Sequence, residues 1–168
     1  MEDIEIPTEH LREHIHHVAE RHGGWTTLCA LMSAMFAVLA AITGLQSGYY
    51  ANQAMQLQIE SADAWNYYQA KGIKAAIAEL APTGKARDEK IKKYHAEQET
   101  IRLDAAQKSA ESEKVLERHE ILARAVTLFQ VGIAMIAIAV LMHRPHFLWL
   151  AAALGAMGIF FWVQSALG

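Results

Sequence analysis

The residues best suited to chemistry are histidines near the start of the chain. Of the nine histidines, five lie within residues 10–22. His10, His14 and His17 follow the spacing i, i+4, i+7, which puts them on one face of a helix. Such imidazoles, with Glu13 beside them, could bind Zn²⁺ or Cu²⁺, or sense pH because a free imidazole titrates near about pH 6.5. The third interpretation, which the sequence favours, is a solvated polar face beside lipid headgroups.

A second group of residues combines aromatic rings with charges near the middle of the chain. Trp65 and Tyr68 are three residues apart and share a helix face, and Tyr67 is four residues from Asp63 and from Lys71. Aromatic residues dominate the burial at interfaces, so this group could dock another protein or a small ligand. The favoured alternative is packing between copies of the chain. The candidate interaction surface consists of Asp63, Trp65, Tyr67, Tyr68, Gln69 and Lys71.

Three apolar segments contain no Asp, Glu, Lys, Arg or His and only a few polar side chains. The lack of ionisable groups argues against a pump or a coupled transporter. In an oligomer, a ring of polar side chains could line a passive pore, and the alternative is hydrogen bonding between helices. The candidate residues for either role are Ser33, Thr43, Gln46 and Gln130.

Motifs for catalysis are missing from the sequence. We recognise no phosphate-binding loop, no nucleophile–base pair and no carboxylate cluster in a plausible pocket, so we expect neither an enzyme nor a cofactor. The net charge of −3 is too small to indicate a nucleic-acid partner.

The three charge-free segments are residues 25–46, 125–142 and 147–167. They predict three transmembrane helices at residues 25–46, 122–142 and 147–167, because Leu122 and Ala123 can extend the second one at its start. Each has the length that a bilayer core about 30 Å thick requires, which is about 20 residues. Residues 1–24 are acidic on balance, unlike the start of a signal peptide. We interpret them as a His-rich amphipathic segment whose helix is broken at Gly23-Gly24.

Residues 47–121 predict a long antiparallel coiled-coil hairpin outside the membrane, continuous with the first two transmembrane helices. Its only turn signal is Ala81-Pro82-Thr83-Gly84, and pairing about this turn puts Gln46 opposite His119. Steps of three and four residues define the predicted seam. On the first helix it contains Met55, Ile59, Ala62, Asn66, Gln69, Ile73, Ala76 and Leu80. On the second it contains Ile91, Tyr94, Gln98, Ile101, Ala105, Lys108, Ser112, Val115, His119 and Leu122.

The predicted seam contains several polar residues, so a lone hairpin would be marginally stable. We therefore expect neighbouring copies to cover it in a homo-oligomer, with a monomer as the alternative. Arg12 and Arg21 before the first span, and Arg144 before the third, favour a cytoplasmic N-terminus. Arg118 and Arg124 at the second span favour the opposite orientation.

Two stretches resemble an uncharacterised family of small bacterial membrane proteins, catalogued as a domain of unknown function. These are residues 50–54 (YANQA) and residues 61–74 (SADAWNYYQAKGIK). The family carries a similar SDxWxYYQAKxIK signature after its first hydrophobic segment and two more hydrophobic segments near its C-terminus. The resemblance covers most of residues 25–168 and implies a bacterial membrane protein without an established activity.

The sequence thus predicts an all-α protein in the bilayer of the bacterial inner membrane. As its function we expect a homo-oligomeric scaffold that docks a partner protein on the hairpin. The two alternatives are a passive channel lined by the first transmembrane helix and a metal or pH sensor acting through the N-terminal histidines.

Overall fold

The protein is built from three α-helices. The computed structural model describes the backbone of residues 8–167 and the side chains of residues 24–167. The helices are α1 (Thr8–Glu79), α2 (Lys85–Met142) and α3 (Pro145–Leu167). Within residues 8–167 there is no β-strand, and the all-helical class is confirmed. By length and composition, all three helices are able to cross a membrane.

Helix α1 runs through Gly23-Gly24 without interruption, and the predicted break there is wrong. A glycine inside a helix costs about 1 kcal/mol relative to alanine. Two glycines therefore weaken the helix only locally, and the helix continues through them. A break would need a stronger helix breaker such as proline, and the sequence has no proline at this point.

The connection between α1 and α2 is short and contains the turn sequence recognised above. The amide of Leu80 donates to the carbonyl of Ile77 at 3.2 Å and ends α1 with a tight turn. At the start of α2, the amides of Arg87 and Asp88 both donate to the carbonyl of Gly84, at 3.0 and 3.2 Å. The carboxylate of Asp88 in the first turn suits the positive end of the helix dipole.

Helix α2 ends in a Schellman motif that starts α3 at once. His143 takes a left-handed conformation with φ of 51°. Its amide donates to the carbonyl of Val140 at 3.4 Å, and the amide of Arg144 donates to the carbonyl of Ala139 at 3.3 Å. These two bonds satisfy carbonyls that the helix end leaves open. Pro145 then provides the first residue of α3, where its missing N–H is harmless.

The chain divides into two compact units. Of the described residues, unit 1 contains 8–44 and 124–167, and unit 2 contains 45–123. Unit 1 therefore holds all of α3 and one part each of α1 and α2, whereas unit 2 holds the remaining parts of α1 and α2.

Unit 1 packs two aromatic rings against glycines. The buried ring of Phe36 lies against Gly132 of α2 and Gly155 of α3, and a Cβ added to Gly132 would stand 2.8 Å from it. A Cβ on Gly155 would come closer still, and one on Gly158 would stand 2.7 Å from the ring of Phe129. The absence of side chains at these three positions lets the helices approach closely, which is how membrane helices commonly pack.

Candidate interaction surface

In unit 2, the two helical segments are linked by hydrogen bonds from side chains to main-chain carbonyls at intervals of seven residues. Ser61 Oγ donates to Ala105 O at 2.9 Å, Ser112 Oγ donates to Ala54 O at 2.9 Å, and Gln98 Nε2 donates to Tyr68 O at 3.2 Å. Each step forward on α1 is matched by an equal step back on α2, so the two segments run antiparallel. A carbonyl has two lone pairs, and so it can accept these bonds in addition to its helical bond.

The same row of contacts includes a reciprocal pair at Ser47 and His119. The ring Nδ1 of His119 lies 2.9 Å from the carbonyl oxygen of Ser47 and can donate a proton to it. The hydroxyl of Ser47 lies 2.9 Å from the same nitrogen and 3.3 Å from the carbonyl oxygen of His119, to which it can donate. Ser47, Ala54 and Ser61 are all buried, so small side chains bring the two helices close together.

The predicted seam matches the structure on α2 but is wrong on α1. All ten predicted α2 residues are buried or half-buried. On α1, Met55 and Ile59 are 64% and 57% exposed, whereas the residues that face α2 include Ala54, Ser61 and Ala75. The prediction followed the bulky apolar residues, but close helix contact requires small ones.

The misassigned residues form a second row of heptad positions on the exposed side of α1. We define the outer seam by its eight residues within the helix. One set contains Asn52, Ile59, Asn66 and Ile73, and the other contains Met55, Ala62, Gln69 and Ala76. All eight are exposed.

The six residues of the candidate interaction surface do not share one free face. Tyr68 is half-buried on the side of α1 that faces α2, and Trp65 packs edge-to-face against it with ring centroids 5.6 Å apart. Trp65 remains 38% exposed. Gln69 belongs to the outer seam, and Asp63 is exposed. The sequence grouped these residues by proximity along the chain, and the helix distributes them around its circumference.

Lys71 is the most enclosed charge of this group. Its ammonium pairs with Glu97 of α2 and lies 5.1 Å from the ring centroid of Tyr67 and 5.6 Å from that of Tyr94. The hydrogen bond to Glu97, and then that to Tyr67, raises the pKa of Lys71. The hydrogen bond from Lys71 lowers the pKa of Glu97. Lys71 thus joins the two helices and is not a free docking cation.

An open groove lies between the helices beside this ion pair. Its volume is about 660 Å³. It is lined by Glu60, Asp63, Ala64 and Tyr67 of α1 and by Thr100, Ile101, Asp104 and Lys108 of α2. The Nζ atom of Lys108 lies 3.5 Å from a carboxylate oxygen of Glu60 and 3.5 Å from one of Asp104. Partial burial lowers the pKa of Lys108, but attraction to Asp104 and Glu60 outweighs it, and the pKa is raised.

The α2 side of this surface was missed by sequence reasoning. Tyr94, Glu97, Asp104 and Lys108 complete the ion pairs and the groove. Tyr94 and Lys108 were predicted as seam residues, but none of the four was among the candidates for the interaction surface. The antiparallel register could have found them. Pairing Gln46 with His119 already puts the charged residues near 97 and 104 opposite the aromatic motif.

The four polar candidates of the apolar segments differ in exposure. Thr43 is 1% exposed, Ser33 is half-buried, and Gln46 and Gln130 are exposed. Thr43 therefore lies inside the packing of unit 1, where it cannot face a lumen between copies. The histidine candidates, His10, Glu13, His14 and His17, have side chains outside the described residues.

The chain matches the model of a known protein family. Residues 25–168 match the family DUF4337, described as a domain of unknown function, and the chain belongs to that family. Comparisons with curated proteins and with solved structures gave no match. The resemblance drawn from the sequence, to an uncharacterised family, is confirmed.

Proposed function

We propose that this member of the DUF4337 family is a non-catalytic, homo-oligomeric scaffold of the bacterial inner membrane. Unit 2 forms a coiled-coil hairpin outside the membrane and docks the basic segment of a partner protein, and the N-terminus is cytoplasmic. The observation that carries this proposal is the groove between α1 and α2, which has three carboxylates and one ammonium group along its walls.

The coiled-coil assignment is supported by the seven-residue spacing of the contacts between α1 and α2. Small residues occupy the facing positions at Ala54, Ser61 and Ala75, and the facing residues of α2 follow steps of three and four. Location outside the membrane is supported by the charges of this hairpin. Exposed charged groups, such as the carboxylates of Glu99 and Asp104 and the guanidinium of Arg102, would cost several kcal/mol each in lipid.

The charge of the groove favours a basic partner. The ammonium group of Lys108 neutralises part of the negative charge of Glu60 and Asp104. Asp63 adds a further carboxylate on the α1 wall of the groove. A lysine or arginine side chain entering the groove would meet uncompensated carboxylate oxygens. It would also meet the ring of Tyr67, which is 51% exposed and suits a cation–π contact.

The test is site-specific photo-crosslinking in bacterial cells. A photoreactive residue replaces Tyr67 in the groove, and in a control chain it replaces Leu103, which is 58% exposed on the outer side of α2. We expect a discrete product of higher mass than two copies of the chain from position 67 only. The double variant Asp63→Asn, Asp104→Asn should reduce this product, because it removes the charge that attracts a basic segment.

Two results would contradict the proposal. Equal products from positions 67 and 103 would indicate unspecific collisions, and an unchanged yield in the double variant would exclude recognition by charge. Native mass spectrometry of the full chain in nanodiscs tests the homo-oligomer separately, since a monomeric mass contradicts that part.

A further inference from the structure

The outer seam has the composition of a helix contact and not of a water-exposed face. Its eight positions, from Asn52 to Ala76, include no charged residue. They repeat with steps of three and four over about 36 Å of helix, at 1.5 Å per residue. A run of more than three heptads is long enough to form a coiled coil.

The matching positions of α2 provide a control within the same chain. The eight corresponding residues are Lys92, Ala96, Glu99, Leu103, Ala106, Ala110, Glu113 and Glu117, and all are exposed. Four of these eight are charged. If this face packed against the same face of a second copy in the same register, each charged residue would face the identical residue of that copy. Such contacts between like charges are unfavourable. Of these two faces, the outer side of α1 is therefore the one suited to contact with a second copy of itself.

Two asparagines determine how such a contact is aligned. Asn52 and Asn66 occupy the same heptad position, two heptads apart. An amide side chain has both donor and acceptor groups, so two asparagines that face each other can pair. A shift of one heptad would set Asn66 against Ile59 or Ile73 and leave its amide unpaired. Asparagine at such a position is known to fix the register of coiled coils.

Neighbouring positions fit a parallel arrangement. Copies inserted in one membrane with the same orientation have parallel α1 helices. In a parallel coiled coil, the residue directly before each position of the set that starts at Asn52 faces the residue five positions later on the other copy. Gln58 would then face Asp63, and Trp65 would face Ala70, so no two like charges meet there. The partly exposed ring of Trp65 would cover the small Ala70 side chain.

We propose that the outer seam holds a second copy of this chain, parallel and in register, with Asn52 and Asn66 each paired with the same residue of the other copy. This inference rests on the homo-oligomer proposed above and names the contact that forms it.

Disulfide crosslinking of the full chain in nanodiscs tests this contact. Cys29, the only cysteine, is first replaced in Cys29→Ala. Ala62→Cys then places a thiol in the outer seam, and Ala106→Cys places one on the outer side of α2 as the matched control. After oxidation with copper phenanthroline, we expect a disulfide-linked dimer from Ala62→Cys and at least about tenfold less from Ala106→Cys, a difference of about 1.4 kcal/mol.

The register is tested by mixing two tagged chains. Ala62→Cys and Ala76→Cys chains should each form disulfides with their own kind and none with each other, because the two positions are about 21 Å apart along the helix. Adding Asn66→Asp to the Ala62→Cys chain should reduce its disulfide about tenfold, by setting like charges together. Ala110→Asp on α2 should leave it unchanged.

The outcomes separate this inference from the proposed function. An oligomeric mass without the Ala62→Cys disulfide overturns the seam contact and leaves the oligomer standing. A monomeric mass overturns both. Mixed disulfides between positions 62 and 76, or equal crosslinking at 62 and 106, would overturn the parallel in-register contact and indicate another occupant of the seam, such as a different protein or lipid.

Discussion

The two units of the chain hold their helices together by different means. In unit 1, the rings of Phe36 and Phe129 fill spaces left by glycines, and the two ring centroids lie 6.0 Å apart. In unit 2, serine and glutamine side chains donate to carbonyls of the facing helix, and ion pairs flank them. Apolar burial drives little association where the surroundings are lipid, so fit between surfaces must replace it. In the location proposed for unit 2, outside the membrane, a narrow helix pair gains from each additional polar link.

The comparison predicts that unit 1 tolerates added volume least. We expect Gly155→Ala to lower the free energy of unfolding by about 3 kcal/mol, because the new methyl group would overlap the buried Phe36 ring, which also lies against Gly132. The measurement is unfolding of the full chain by SDS, followed by tryptophan fluorescence. Hydrogen exchange should become faster in peptides of unit 1.

Gly44→Ala is the matched control for this prediction. An added Cβ there would meet Val126 at 4.0 Å, which is ordinary contact. We expect no loss of stability, and the better helix propensity of alanine favours a small gain. Equal losses from both variants would show that the Phe36 contact is not special.

Unit 2 should be sensitive to volume only on the side that faces the other helix. Ala105 is fully buried and its carbonyl accepts the bond from Ser61, so Ala105→Leu should separate the helices and cost about 2 kcal/mol. Ala106→Leu, one residue later on the exposed side, should change stability little. Hydrogen exchange of residues 45–123 reports the difference, and faster exchange in both variants would contradict the assigned faces.

How much of this was predictable from sequence differs between the two helices of unit 2. On α2, polar and apolar residues alternate in the rhythm of the seam, and residues such as Gln98, Ser112 and His119 were assigned to the correct face. On α1, two rows of residues have heptad spacing. The prediction chose the row with bulky Met55 and Ile59, which is exposed, instead of the row with small Ala54 and Ser61, which is buried. Hydrophobic periodicity locates apolar residues, but it does not tell which of two contacts each row makes.

The glycine contacts of unit 1 were beyond sequence reasoning for another reason. Gly132, Gly155 and Gly158 lie on two helices, and their partners Phe36 and Phe129 are distant in sequence. Small residues are common in membrane helices, so their presence alone does not identify a partner. The groove was missed for a similar reason. Asp63 and Asp104 are distant in sequence, and only the register of the two helices brings them to the same groove.

The ion pair of Lys71 and Glu97 makes unit 2 sensitive to pH. The pKa of Glu97 is lowered, so its contribution is complete above the ordinary value of 4.5 and is lost as the pH falls through the lowered pKa. The pKa of Lys71 is raised, so its contribution is lost only as the pH rises through a value above 10.5. Glu97→Gln should therefore lower the thermal midpoint near neutral pH, and its difference from the unsubstituted chain should shrink in acid.

The control for this prediction is Glu113→Gln on the outer side of α2. It should leave the midpoint and its pH dependence nearly unchanged. A constant difference between the Glu97→Gln chain and the unsubstituted chain from neutral pH to strong acid would contradict the assigned role of the ion pair.

The smallest expected effect comes from the glycine of unit 2 that most resembles Gly155. A Cβ added to Gly72 would stand 2.7 Å from Nε2 of Gln98, as close as a Cβ on Gly158 would stand to the Phe129 ring in unit 1. The atom it meets, however, is the end of a flexible amide and not a ring held between helices. Gln98 can rotate away and lose its bond to the Tyr68 carbonyl, a loss of about 1 kcal/mol, which the helix propensity of alanine offsets. Gly72→Ala should therefore leave the free energy of unfolding within about 1 kcal/mol of its original value. If it destabilises as much as Gly155→Ala in the same SDS titration, then the close approach of the backbones, and not the stiffness of the group that is met, determines the response in both units.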